Sequence, residues 1–117
     1  MFLLTGRGSA QADATLGNLT KDGVGVDAGY PKPTDADGTG PDTGLYTKPA
    51  LADYPTYLST ACGGVACTTV QYKSATRKHI ESLGYDVVAN FGDQFSDLKG
   101  GFEDRTFKLP NPNYYLP

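Results

Sequence analysis

The sequence has no excess of positive charge, no long apolar run and no recognisable leader. Lys and Arg number 10 against 13 Asp and Glu, a net charge of −3, so no basic surface points to nucleic acid. No stretch approaches the roughly 20 apolar residues that a membrane span needs. The chain opens MFLLTGRGSA, with three apolar residues after Met1 and no basic segment before them. That is not the layout of a signal peptide. An apolar strand begins almost at the first residue, and further residues are expected upstream. Cysteine is scarce too, at two residues. Cys62 and Cys67 lie in ACGGVAC, too far apart for a CxxC redox pair and too few for a structural zinc site. A short disulfide across the Gly-Gly turn is the better reading and points to a compartment outside the cytosol. Two separate buried thiols are the alternative.

What is abundant is glycine and proline, 15 and 8 residues, a loop-rich composition short of disorder. They concentrate in KDGVGVDAGYPKPTDADGTGPDTG, residues 21–44, where 14 of 24 residues are Gly, Pro or Asp. This reads as one long surface loop within a single domain spanning residues 1–117. Inside it, DADGT (Asp35 to Thr39) has the DxDxT form and, with Asp42, faintly resembles a calcium loop. The preceding GYPKPT cannot be the buried strand that a nucleophilic DxDxT projects from. The Glu and flanking helices of an EF-hand are missing as well. It is read as loop.

Around this loop the periodicity alternates. Phe2, Leu3 and Leu4 form a short strand ending at TGR. Ala10, Ala14, Leu16 and Leu19 give a helical stripe that stops at Gly23. TTVQY (68–72) is β-prone. KSATRKHIESLGY reads as a helix capped by Ser74, with Ala75, His79, Ile80 and Leu83 on one face and Gly84 as its stop. His79, the only histidine, is read as packing on that face. DVVANF and RTFKL are further strands, and PNPNYYLP closes the chain in extended form. Strands alternating with helices imply an α/β fold with a parallel sheet and flanking helices. Ligands of such sheets sit beyond the carboxyl ends of the strands. The turns TGR and GDQFSD both fall on that edge.

The residues there suit phosphate and a hard cation. Thr5 and Gly6 offer a hydroxyl and backbone N–H groups ahead of a helix, and Lys73 offers a point charge. Asp93, leaving a strand directly, suits an inner-sphere Mg²⁺ ligand, while Asp97 could bind through water or orient a neighbour. Asp97 could also simply complement a helix dipole. Taken in order, FLLTGR, YKSATRKHIESLGYDVVANFGDQFSDLKGG and RTFKLPNPNYYLP resemble the second half of a secreted acid phosphatase. The family lies in the haloacid dehalogenase superfamily, in the branch that includes plant vegetative storage proteins. The resemblance covers residues 2–19 and 45–117, and GDQFSDL…GG…FKLPNP is its most specific part. It implies a partial Rossmann-like fold and phosphomonoester hydrolysis through an aspartyl phosphate. In it Thr5 holds a phosphoryl oxygen, Lys73 offsets charge at the phosphoryl group, and Asp93 and Asp97 hold Mg²⁺. The implied substrate is a small phosphomonoester. The DxDxT that supplies nucleophile and general acid is expected before FLLTGR, on a central strand missing from this chain. The 117 residues are therefore expected to be an inactive portion of the enzyme, or else a non-catalytic storage or binding protein on the same scaffold.

Overall fold

The computed structural model describes residues 1–18 and 44–113. The 21–44 loop up to residue 43, the DADGT pattern, Asp42, Leu19, Gly23 and the last four residues lie outside the described residues. The chain divides into two compact units, Met1–Asp53 and Tyr54–Pro117.

In the first unit, β1 (Leu3–Gly8) pairs in parallel with β2 (Leu45–Lys48). Leu3, Leu4 and Thr5 face Leu45, Tyr46 and Thr47 in register, after which Gly8 meets Lys48. Two residues of β1, Gly6 and Arg7, therefore have no counterpart on β2. The TGR stretch is thus not a turn that ends the strand but an irregularity within it. Glycines on either side of Arg7 make such a bulge inexpensive, since they add no side chain to the crowded ladder. A 3₁₀ turn, Ser9–Gln11, leads into α1 (Ala12–Gly17), which buries no residue. Burial in this unit falls on Leu45 and Tyr46. The sequence pattern did not foretell β2.

In the second unit, α2 (Thr56–Cys62) and α3 (Thr69–Ser82) pack together. Leu58, Cys62, Cys67, Tyr72 and Ala75 form the core, with Tyr54 and Tyr57 against it. Cys62 and Cys67 are bonded as a disulfide. Gly63, in the left-handed region at φ 64°, ends α2 and turns the chain back toward Cys67. The Cys67 N–H then donates to the Tyr54 hydroxyl at 2.9 Å. The cap of helix α3 lies six residues earlier than expected. Thr68, not Ser74, is the N-cap: its hydroxyl accepts from the Gln71 N–H, and the Gln71 side chain accepts from the Thr68 N–H. This reciprocal box satisfies two orphan donors of the helix and outweighs the β preference of TTVQY. Ser74 instead donates back to the Gln71 carbonyl. The helix ends as expected, with Gly84 at φ 100°.

Helix α3 has two buried flanks. Tyr72, Thr76 and Ile80 recur every fourth residue on one, and Lys73 and Arg77 on the other. His79 stacks on Tyr57 with centroids 4.2 Å apart, which agrees with a packing role. Beyond α3 come β3 (Asn90–Gly92), α4 (Phe95–Leu98) and β4 (Thr106–Lys108), with β3 and β4 parallel. The apolar run before β3 is not strand: only Asn90, Phe91 and Gly92 are, and Val88 is exposed. Phe91 and Phe107 stack on the outer face of this pair, 63% and 42% exposed. The strands are thus parallel with helical crossovers, as the alternation implies. Among the described residues, however, they form two sheets of two strands, not one sheet. No described helix is long and apolar enough to cross a membrane.

Candidate active site

Lys73 and Arg77 stand one turn apart on α3, so both side chains leave the helix in the same direction. Lys73 is not ahead of the helix, as expected, but five residues into it. The earlier cap at Thr68 accounts for the shift. Its ammonium pairs with Asp97 Oδ1, the two side chains being 11% and 13% exposed. Asp97 lies in α4, and its second oxygen, Oδ2, accepts the Gln94 N–H at 3.0 Å. The Asp97 carbonyl is held twice more, by Asn90 Nδ2 at 2.7 Å and Arg77 Nη1 at 2.9 Å. Gly92 makes room for this arrangement. A Cβ there would lie 2.3 Å from the Asp97 Cβ, far inside any real contact.

Asp93 follows β3 directly, and its Oδ2 accepts from Asn111 Nδ2 at 2.6 Å. Asn111 belongs to the FKLPNP segment, so two distant parts of the sequence likeness meet at one carboxylate. Thr5 and Gly6 are placed in the first unit, inside β1 and not in a turn at a helix mouth. The Thr5 hydroxyl accepts from the Arg7 N–H at 3.2 Å. Of the expected residues, then, Lys73 and Asp97 are brought into contact, and Asp93 shares their unit.

Two charged residues had escaped the sequence reading. The Arg77 side chain and Glu103 are both 4% exposed, with Glu103 Oε2 2.8 Å from Arg77 Nε. Burial pulls the Arg77 guanidinium below its ordinary pKa, against the pull of Glu103. Burial likewise pushes the Glu103 carboxyl up, and Arg77 offsets this only in part. The available signal was the Lys73–Arg77 spacing of four, which gives both cations the same flank.

Both Asp97 oxygens are engaged within the protein. Among the described residues no three acids, histidines or cysteines gather into a metal-binding group.

Curated relatives align with part of the chain. A stem 28 kDa glycoprotein of Glycine max is 55% identical over 49 residues, 40% of this chain and 19% of the relative. Vegetative storage protein 1 of Arabidopsis thaliana is 48% identical over 54 residues, 46% of this chain and 20% of the relative. Acid phosphatase 1 of Solanum lycopersicum is 48% identical over 50 residues, 42% of this chain and 20% of the relative. The chain thus matches about a fifth of the length of these relatives. The sequence model of one family, by contrast, matches residues 1–117. With the parallel strands, flanking helices and strand-end acids already described, that match is decisive: the chain belongs to the HAD superfamily, subfamily IIIB (acid phosphatase).

Proposed function

We propose that the chain is part of a Mg²⁺-dependent acid phosphatase, a hydrolase of small phosphomonoesters that works outside the cytosol. The observation that carries this reading is the Lys73–Asp97 pair, with Asp97 in the short helix that follows Asp93, in a chain of an acid phosphatase family. On this reading both units belong to one phosphatase-type domain, with residues 21–44 as an external loop. Lys73 offsets charge on the phosphoryl group, held in place by Asp97. Thr5 and Gly6 hold a phosphoryl oxygen. The hydrolysis passes through an aspartyl phosphate on a DxDxT aspartate. The sequence carries no DxDxT behind an apolar strand, so these 117 residues are expected to bind without turning over.

HAD-family acid phosphatases are generally metal dependent. The donors present fit a hard cation in part. Asp93 supplies a carboxylate, and the buried Ser96 hydroxyl, next to Asp97 in sequence, has no hydrogen-bond partner among the described residues. Asp93 would hold the ion directly, and Asp97 would reach it only through water. Bound there, Mg²⁺ would stabilise charge developing on the transferring group. The disulfide supports an oxidising compartment. The three Glycine max relatives named as stem glycoproteins support secretion. A second reading, a non-catalytic secreted storage or binding protein on the same scaffold, is favoured by the two Arabidopsis relatives called vegetative storage proteins.

Mg²⁺ titration followed by thermal unfolding tests the first reading. At tenfold excess over its dissociation constant, the ion should stabilise the chain by about 1.4 kcal/mol, a rise of roughly 5 °C. Asp93→Asn should abolish the rise. An unchanged response in Asp93→Asn would remove that residue from the site. Hydrolysis of a chromogenic phosphate ester by this chain, lost in Asp35→Asn, would move the chemistry to DADGT.

A further inference from the structure

The segment that follows α4 is organised by one side chain. Arg77 is 3% exposed. Its guanidinium donates from Nη1 to the Asp97 carbonyl at 2.9 Å, from Nη2 to Lys99 at 2.6 Å, and from Nε to Gly101 at 2.9 Å. Three carbonyls at alternate residues thus converge on a rigid planar fork, which a flexible lysine could not match. Glu103 stands 2.8 Å from the same Nε. That nitrogen's single proton goes to Gly101, so Glu103 offsets the buried charge without taking a donor.

The main chain bends to fit this fork. Gly100 and Gly101 lie at φ 97° and 77°, and Phe102, which is not glycine, at φ 67°. A Cβ on Gly100 would come within 2.5 Å of the Ser74 Cβ on α3. Left-handed backbone at a residue with a bulky side chain persists only where its surroundings enforce it. Here the enforcing contacts come from α3, through Arg77 and through the close seat against Ser74.

Asp97 sits at the start of this segment, and its carboxylate can stay where its backbone stays. Lys73 takes the carboxylate from one turn earlier on the helix that supplies Arg77. We infer that Arg77 is a positioning residue of the site: by holding the Asp97 carbonyl, it keeps the Asp97 carboxylate against Lys73 and the Gln94 N–H. The role toward phosphate and metal rests on the function proposed above, whereas the mechanical coupling between Arg77 and Asp97 does not.

Amide exchange on the full chain, at fixed pH and without metal or phosphate, tests the coupling. The Gln94 amide, capped by Asp97 Oδ2, reports the carboxylate. The Ile80 amide reports helix α3. Arg77→Lys should speed Gln94 exchange by about tenfold, the scale of a lost charge-assisted hydrogen bond. Ile80 should stay within about twofold of wild type, since sites outside the coupled network respond independently. Asp97→Asn should speed Gln94 similarly, and the double variant should be no faster than Asp97→Asn alone. The inference is overturned if Gln94 and Ile80 accelerate together, as a purely structural arginine requires. It is overturned equally if Gln94 is unmoved or if the two single effects multiply. Should Arg77→Lys fail to fold, the wild-type Arg77 Nε–H decides. Protection comparable to Ile80 supports the clamp, and exchange faster than Gln94 ends it. Because no ligand is added, a failed Mg²⁺ titration leaves this result readable.

Discussion

Gly92→Ala isolates the tightest point of the site. Gly92 has no positive φ, so alanine faces no backbone penalty there. By unfolded-state entropy alone it would stabilise the chain by about 0.4–1 kcal/mol. Space decides otherwise. The new methyl would meet Asp97 Cβ at 2.3 Å, Oδ2 at 2.8 Å and Cγ at 2.9 Å. Carbon atoms rest about 3.5–4.0 Å apart, so Asp97 or β3 must retreat by more than about 1 Å. Overpacking of this kind costs about 1–3 kcal/mol. The retreat also pulls the carboxylate from Lys73 and Gln94, and a hydrogen bond to a charged group is worth about 1.5–3 kcal/mol. The net expectation is a loss of roughly 3 kcal/mol, with overpacking and lost pairing outweighing the entropic gain. Urea unfolding followed by circular dichroism measures it. Gly17→Ala is the control, since nothing lies within 4 Å of a Cβ there; it should be neutral or stabilise by up to about 1 kcal/mol. All three offending atoms belong to the Asp97 side chain, so in an Asp97→Gly background Gly92→Ala should cost little, the signature of coupled sites. A Gly92→Ala protein as stable as wild type, or an unchanged cost in that background, refutes the packing argument.

Reducing the disulfide, or replacing Cys62 and Cys67 by serine, should destabilise the second unit. The five-residue separation gives about 2 kcal/mol from loop closure, visible as a lower urea midpoint in dithiothreitol. Glu103 should make stability fall as pH rises. Burial lifts its folded pKa above the ordinary 4.5, so the folded chain binds this proton more tightly than the unfolded chain does. The gain is full below 4.5 and disappears as pH climbs through the raised folded value. Unfolding measured at several pH values should therefore show a shallower decline in that window for Glu103→Gln, and an identical slope would discount the burial.

How far the sequence was legible follows from where its local signals were strong. The end of α3 was readable because Gly84 is a stop that tertiary packing has no reason to override. Its start reads as strand because β-branched Thr68, Thr69 and Val70 mask the capping box that Thr68 itself forms with Gln71. Neither β2 nor α2 announced itself: LYTK is too short to show a period, and α2 is held by burial of Leu58 and by the disulfide more than by propensity. Val87 and Val88 looked like strand, yet pairing begins only at Asn90. Arg77 carries only one weak signal, its spacing of four from Lys73. Cations in a helix otherwise read as a solvated face, and only the fold shows the three carbonyls that meet this one.

The two acids after β3 looked alike in the sequence because spacing carries no information about partners. The structure separates them. Asp97 already gives both oxygens to donors of its own chain. To bind a metal directly it would have to surrender a charge-assisted hydrogen bond of about 1.5–3 kcal/mol. Mg²⁺ itself sheds water reluctantly, so the exchange is doubly unfavourable. Asp93 leaves the strand directly, and its Oδ2 accepts from the Asn111 amide. On the proposed reading this difference is useful. Asp93 would hold the cation. Asp97 fixes the lysine and screens its positive charge, so that an ion and an ammonium can serve one phosphoryl group without repelling each other at full strength.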